Sequence, residues 1–238
     1  MIMEFVYGIN PAFEVIMSNR RKIFGAFICD TGKPKIRKIS NLLQSRGIEV
    51  QNVDKGQLIN MTGNKYHQGV VLKVSEYPYV PFDSMLGKYD KLLLLDNIED
   101  PQNLGAILRS SEVFGFKAVL LSMRGTPEVY SSVVKVSSGA TEHLQIANDH
   151  NANSYAKKAK ENGYTLISLD ENGKNTIEEI KAAKPEKILL VIGGEDKSVG
   201  QFILNESDFV FGIPQKGRIN SLNASVAAGV GMYIISQI

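Results

Sequence analysis

The sequence predicts an α/β protein: a small α/β unit followed by a doubly wound parallel sheet. Three observations carry this reading. Six short apolar runs, Leu92 to Leu95, Ala118 to Leu121, Leu144 to Ile146, Thr165 to Leu169, Ile188 to Ile192 and Phe209 to Ile213, lack polar alternation, as expected of parallel strands buried on both faces. Helical segments separate them, at Leu104 to Phe114, Val129 to Ser137, Ser154 to Asn162 and Ile177 to Ala183, and such alternation builds a parallel sheet. The first third has a pattern of its own, cut off by Glu76-Tyr77-Pro78-Tyr79-Val80-Pro81-Phe82, whose two prolines favour a stiff, extended connector. Domains are therefore expected at residues 1–76 and 89–238, with residues 77–88 as linker.

In the first unit, Asn10-Pro11 reads as a helix start, a capping side chain before a residue whose φ is already helical, and Phe13, Ile16 and Met17 form one apolar face. Ile23 to Cys29 follows as a strand. Pro34 opens a second helix with Ile36, Ile39, Leu42 and Leu43 at helical spacing, Gly47 closes it, and Ile48 to Val53 is the next strand. Asp54 caps a short third helix that Gly63 ends, and the strand Val70 to Val74 completes the unit. Arg20, Arg21, Lys22, Lys33, Lys35, Arg37, Lys38 and Arg46 crowd the first two helices and their loops. They form either an RNA-facing patch or an ordinary solvated face. His67 reads as a hydrogen-bonded loop histidine, with no second His at metal-ligand spacing.

Composition excludes several classes. With 43% hydrophobic and 22% charged residues the chain is globular rather than disordered, and its 238 residues suffice for one large or two smaller domains. A net charge of +2 announces no overall basic field. The single Cys29 excludes an internal disulfide or a multi-cysteine zinc site and suits a reducing compartment, so the cytoplasm is expected. No apolar run reaches membrane-spanning length, and MIMEFVYG lacks the basic-then-apolar pattern of a signal peptide.

Ligands of doubly wound sheets bind beyond the carboxyl ends of the strands, and three loops there stand out. The first runs from Leu95 through Asp100-Pro101-Gln102-Asn103 to Ser110, with Asn103 placed to cap a helix that carries Arg109 in its second turn. The second is Val191-Ile192-Gly193-Gly194-Glu195-Asp196-Lys197-Ser198-Val199. In the third, a short strand meets Pro214 and a polar loop, and Ser221-Leu222-Asn223 opens a helix of small residues, Ala224 to Gly231. Small side chains permit close backbone approach, and Asn223 or Ser221 can cap the first amides. Singly, each loop reads more simply as an ordinary turn. The Rossmann glycine fingerprint is absent after Leu95, so no dinucleotide-type cradle is expected.

Together and in this order, DPQNLGAILRS, IGGEDKSV and GIPQKGRINSLNASVAAG closely resemble the three motifs of the SpoU branch, also called the TrmH family, of SPOUT RNA methyltransferases. The N-terminal part, with GINPAFEVI and HQGVVLKV, resembles the small ribosomal-protein-like RNA-binding domain of members acting on large-subunit ribosomal RNA, the RlmB-like guanosine subgroup. The resemblance covers nearly the whole chain. It implies a SPOUT-type parallel sheet ending in a trefoil knot, a rare exception to unknotted folding. It also implies S-adenosylmethionine as cofactor, 2′-O-ribose methylation of RNA, and a homodimer packed through the knot region with the sites near the interface. By matching, cofactor contacts fall on Gly193, Ile213 and Leu222, mostly through main-chain atoms, with Gly194 allowing backbone approach and Pro214 and Gln215 beside them. The family's polar site residues fall on Asn103, Arg109, Glu195, Ser221 and Asn223.

A sulfonium donor already carries an activated methyl group, so the protein chiefly holds cofactor and hydroxyl in line, worth on the order of 7–11 kcal/mol. No metal is needed. A guanidinium pKa above about 12 leaves almost no neutral base at pH 7, so Arg109 is assigned to the phosphate beside the target ribose and to developing alkoxide charge. Glu195 is assigned to holding Asn103 or the loop. Two departures from the family pattern matter: Ser198 stands where many relatives have Gly, which strains the loop if that site takes positive φ, and Gln215-Lys216 replaces a methionine-led pair. The chain stops after the last helix without the extra tail of transfer-RNA-specific relatives, which favours ribosomal RNA. Competing readings are transfer RNA methylation, a catalytically silent RNA-binding or ribosome-assembly protein, and a flavodoxin-like domain whose ligand site is the first loop.

Overall fold

The computed structural model describes residues 3–29, 32–194, 197–218 and 221–238, which fall into two compact units. The first takes the chain through Pro78 together with Val129–His143. It contains β1 (Met3–Tyr7), α1 (Ile9–Ser18), β2 (Ile23–Ile28), α2 (Pro34–Ser45), β3 (Val50–Asn52), α3 (Lys55–Thr62) and β4 (Val70–Ser75). The sheet order is β1-β4-β2-β3, with β4 antiparallel to both neighbours and β2 parallel to β3. Strand β1 is absent from the sequence reading.

Helix α3 is capped as its sequence dictates. The Asp54 carboxylate accepts from the Gln57 N–H at 2.8 Å, Gln57 Oε1 accepts from the Asp54 N–H at 3.0 Å, and Gly63 ends the helix at φ 61. The start of α1 corrects the expectation for Asn10. Gly8, at φ 104, is the N-cap, and Gln68 Oε1 accepts from the Ile9 N–H at 3.0 Å, so the capping oxygen comes from the loop before β4.

The segment Val129–His143 is tied into this unit by polar groups. The Tyr77 hydroxyl donates to the Thr141 carbonyl at 2.7 Å, and Arg20 donates to the Glu142 carbonyl at 3.3 Å. Arg21 is buried, donates to the Glu4 carboxylate and the Ser75 carbonyl, and lies 3.7 Å from the Glu142 carboxylate. Burial raises the Glu142 carboxyl above the ordinary range, and the two arginines pull it back.

The second unit spans Tyr79–Glu128 and Leu144–Ile238. The stretch expected as linker enters it, for Phe82 and Met85 are fully buried in its core with Leu92, Leu94 and Tyr155. Here β5 (Lys91–Asp96), α4 (Pro101–Val113) and β6 (Ala118–Leu121) come first. The chain then gives α5 (Ser131–Val136) to the first unit. It resumes with β7 (Gln145–Ala147), α6 (Ala152–Glu161), β8 (Thr165–Leu169), α7 (Ile177–Ala183), β9 (Ile188–Gly193), α8 (Gln201–Glu206), β10 (Phe209–Phe211) and α9 (Ala224–Ser236). All pairings are parallel and the order is β10-β8-β9-β5-β6-β7, the predicted α/β class. Leu92 to Leu95 are buried on both faces of β5, which is why the run shows no alternation.

Register brings the ends of four strands level. Asp96 sits opposite Gly193, Ile192 opposite Leu169, and Leu169 opposite Phe211, so β5, β9, β8 and β10 end side by side and release their loops at one edge. Among the described residues no helix is long and apolar enough to cross a membrane.

Candidate active site

The four loops are interlocked through glycines. A Cβ on Gly194 would lie 2.0 Å from the Asn97 carbonyl oxygen, joining the β9 loop to the β5 loop. One on Gly193 would lie 2.3 Å from the Val199 nitrogen and 2.5 Å from the Ser198 carbonyl carbon. At both positions, then, protein backbone fills the space a side chain needs. Gly173 and Gly212 do the same for the other pair: a Cβ on Gly173 would meet the Phe211 carbonyl carbon at 2.3 Å, and one on Gly212 the Asp170 oxygen at 3.1 Å. Hydrogen bonds follow the same path. The Asp170 N–H donates to the Phe211 carbonyl at 3.1 Å, and the Val210 N–H donates to Asn175 Oδ1 at 2.8 Å.

These contacts enclose a cleft of about 460 Å³. Its walls are Asp170 and Glu171 from the β8 loop, Gly193, Gly194 and Ser198 from the β9 loop, Ile213 and Gln215 after β10, and Ser221 to Ala224 at the start of α9. A crevice of about 110 Å³, lined by Asn97, Asp100 and Asn103, shares Gly194 and Ala224 with it. Pro214 lines an adjoining hollow that shares Glu171, Ile213 and Gln215. The cofactor residues expected from sequence therefore all border the cleft or this hollow. Ser221 and Asn223 are on the cleft and Asn103 on the crevice. Glu195 lies outside the described residues. Arg109 is exposed on α4 and lines neither cavity.

The role expected of Asn103 as a cap needs correction. Asp100 is the N-cap of α4, its carboxylate accepting from the Gln102 N–H at 2.8 Å, because Pro101 fixes the first helical φ three residues earlier than expected. Arg109 consequently falls in the third turn. Asn103, inside the helix, instead accepts a hydrogen bond on Oδ1 from Asn223 Nδ2 at 3.0 Å. The Asn223 side chain also caps α9, its Oδ1 accepting from the Ser225 N–H at 3.0 Å. One asparagine thus sets the start of the last helix and links it to the first motif.

Behind the cleft, Asp96 is buried and its Oδ2 accepts from the Gly200 N–H at 3.2 Å, tying the end of the β9 loop to β5. Burial raises this carboxyl above the ordinary range, and the Gly200 bond partly opposes the shift. Asn97, at φ 58, is in the left-handed region that asparagine tolerates, and this turns its carbonyl toward Gly194. Ser198 is not among the residues of positive φ, so the serine found there carries no backbone strain.

Asp170 and Glu171 went unread in the sequence. Their signal was an Asp-Glu-Asn-Gly turn at the carboxyl end of a buried strand, where ligands of such sheets bind. The cleft volume is in the range that takes a small cofactor, and its walls combine glycine-bearing loops with carboxylates and amides. No group of three or more His, Cys, Asp or Glu among the described residues is placed to hold a metal ion.

Comparison with known proteins agrees with this layout. Residues 90–233 match the SpoU rRNA methylase family, and residues 5–80 match the RNA 2′-O ribose methyltransferase substrate-binding family. YacO of Bacillus subtilis, provisionally named a TrmH family tRNA/rRNA methyltransferase, is 31% identical over 237 residues, covering 97% of this chain and 94% of YacO. The fold is similar to that of an AdoMet-bound rRNA methyltransferase from Sinorhizobium meliloti, with a TM-score of 0.82 at 21% identity over 99% of this chain and 87% of that one. A TrmH/SpoU tRNA modifying enzyme from A. aeolicus matches 62% of this chain and 74% of its own, with a TM-score of 0.53 at 23% identity.

Proposed function

Since the chain belongs to the SpoU (TrmH) family and is an S-adenosylmethionine-dependent RNA methyltransferase, we propose that it methylates the ribose 2′-hydroxyl of a guanosine in large-subunit ribosomal RNA. In this reading it is an RlmB-like cytoplasmic enzyme with a C-terminal trefoil knot, working as a homodimer. The observation that carries the reading is the Asn103–Asn223 hydrogen bond, which sets the first motif against the last at the mouth of the cleft.

S-adenosylmethionine supplies a methyl group activated on a sulfonium sulfur. The main chain at Gly193, Gly194, Ile213 and Leu222 would hold it, with Pro214 and Gln215 at the rim. The carboxylates of Asp170 and Glu171 on the cleft wall suit a cationic donor. Asn103, Ser221 and Asn223 orient the ribose hydroxyl. Such positioning contributes on the order of 7–11 kcal/mol.

Arg109 is read as the phosphate clamp beside the target ribose. It forms no ion pair among the described residues and is free to take a phosphate. On α4 it lies about 9 Å along the axis from Asn103 by helical rise, which suits service to a partner's cleft across a dimer face. Apolar residues on α4 and α9 support such a face: Val113 is 67%, Val226 50% and Tyr233 55% exposed, and the Phe114 and Tyr233 rings are 5.9 Å apart. The place of β9 between β8 and β5 supports the knot. The match to the Sinorhizobium rRNA methyltransferase over 99% of this chain, against 62% for the A. aeolicus tRNA modifying enzyme, supports ribosomal over transfer RNA.

The test is incubation of the protein with labelled methyl donor and, separately, large-subunit ribosomal RNA and transfer RNA transcripts. Label is expected in one ribose of the ribosomal transcript, at a guanosine. Label confined to transfer RNA, or carried on a base, overturns the reading. Near-normal single-turnover methylation by Arg109→Lys would remove the planar clamp from it.

A further inference from the structure

The eight basic residues that crowd the first two helices of the first unit and their loops do not act as one patch. Arg20 is spent on the Glu142 and Pro78 carbonyls, Arg21 is buried against Glu4 and Ser75, and Arg46 donates to the Ile16 carbonyl. These three hold the fold. Lys33, Lys35, Arg37 and Lys38, around the first turns of α2, are exposed and form no ion pair among the described residues.

Their placement conflicts with helix electrostatics. The N-cap of α2 is Lys33 with no side-chain capping bond, and the first turn contains no acidic residue. Cations therefore stand at the positive end of the helix dipole, where anions belong. Lys33 and Arg37 are four apart and Lys35 and Lys38 three apart, spacings at which like charges repel. Residues 33–46 carry five basic and no acidic side chains, +5 against +2 for the whole chain, so the remainder carries −3. A sequence that breaks local rules in this concentrated way marks a place kept for a partner of opposite charge.

The same helix offers a surface to receive one. Pro34, Arg37, Lys38, Asn41, Leu42 and Ser45 line a shallow trough of about 620 Å³. Their spacing of three and four residues keeps them on one face. The Lys38 ammonium is held 5.2 Å from the Phe13 ring centroid, which fixes one charge beside the trough. Asn41 and Ser45 add neutral hydrogen-bonding groups beyond the charged end.

We infer that this face of α2 is where the first unit grips RNA, with Lys35, Arg37 and Lys38 on successive backbone phosphates and Asn41 and Ser45 on sugar or phosphate oxygens. The inference rests on the RNA methyltransferase reading and adds to it the location of the substrate grip. Phosphate contacts position RNA without reading its sequence, so the face supplies affinity while the cleft supplies the reaction.

The test uses the full chain with Lys35→Gln/Arg37→Gln/Lys38→Gln, a control with Lys157→Gln/Lys181→Gln/Lys184→Gln, and a large-subunit ribosomal RNA transcript. At about 0.7–0.9 per lost phosphate contact, the slope of log affinity against log salt should be shallower by roughly 2–3 in the α2 variant. KM for RNA should rise while kcat at saturating RNA and affinity for S-adenosylmethionine are kept, and Lys35→Arg/Lys38→Arg should restore binding. Relief of repulsion should leave the melting temperature unchanged or higher, and the single variants give the slope change per residue if the triple fails to fold. An α2 variant with the unaltered slope and KM, or a control triple that loses as much, overturns the inference. A parent protein that binds the transcript but transfers no methyl to any RNA sinks the functional reading instead, and the salt slope still decides the α2 face.

Discussion

Replacing Gly194 by alanine tests whether the two diglycine contacts shape the cofactor cleft. The new Cβ would lie 2.0 Å from the Asn97 carbonyl oxygen, about 1 Å or more inside any ordinary carbon–oxygen contact. The obstacle is backbone in a turn already set at φ 58, so no side chain can swing aside and one loop must move bodily. Overpacking of this kind costs about 1–3 kcal/mol of stability. A displacement of about 1 Å at a positioning site costs on the order of 10²-fold in rate. Gly194→Ala should therefore lower the urea midpoint, weaken S-adenosylmethionine binding by calorimetry, and slow single-turnover methyl transfer about 10²-fold. The contrast is Gly229→Ala in α9, where the nearest atom to a Cβ is Ser110 Oγ at 3.8 Å. There the substitution should stabilise by about 0.5–1 kcal/mol through helix propensity. Wild-type donor affinity and rate in Gly194→Ala would refute the argument that Asn97 and Gly194 jointly set the cleft.

Three other perturbations act through named contacts. Asn223→Asp keeps the oxygen that caps α9 but loses the amide donor to Asn103, so methyl transfer should fall with little change in denaturation, whereas Asn223→Ala should also lose about 1 kcal/mol. Asp96 has a folded-state pKa raised by burial, so its contribution to stability is full below the unfolded value and is lost as pH rises through the folded one. Asp96→Asn, which can still accept from Gly200, should thus gain on the parent across that window, and urea melts showing a pH-independent gap would contradict this. Arg21→Met leaves Glu142 buried without its nearest guanidinium and should cost about 3–5 kcal/mol in unfolding measurements, with no change in the salt dependence of RNA binding.

Much of the fold was legible because local signals and tertiary placement agreed. Ala118–Leu121, Thr165–Leu169 and Ile177–Ala183 have the expected bounds, since a strand buried on both faces and a helix with Thr176 as cap announce themselves in sequence. Asp54 and Gly63 bracket α3 for the same reason. Failures occurred where the deciding partner is remote. Strand β1 is short and pairs with β4, far along the chain. Gly8 replaces Asn10 as the cap of α1 because Gln68 reaches it from another loop. Asn103 was recognisable as a site residue, but Asp100 and Pro101 took the helix start, and its link to Asn223 is a contact no spacing rule gives. Asp170 and Glu171 escaped notice because β10 draws their loop to the cleft. The basic residues could be counted in advance; which of them were already engaged required the coordinates.

The seat of β9 between β8 and β5 has a consequence for biosynthesis. As the nascent chain emerges, β5, β6, β7 and β8 are all available while the slot at the heart of their sheet is still vacant, for residues 188–193 have yet to be made. Lateral closure of β8 onto β5 at that stage would be a trap rather than progress. Productive maturation therefore requires delay, a gap kept open until residues 188–193 leave the exit tunnel, and truncated nascent chains released before that point should be prone to clump.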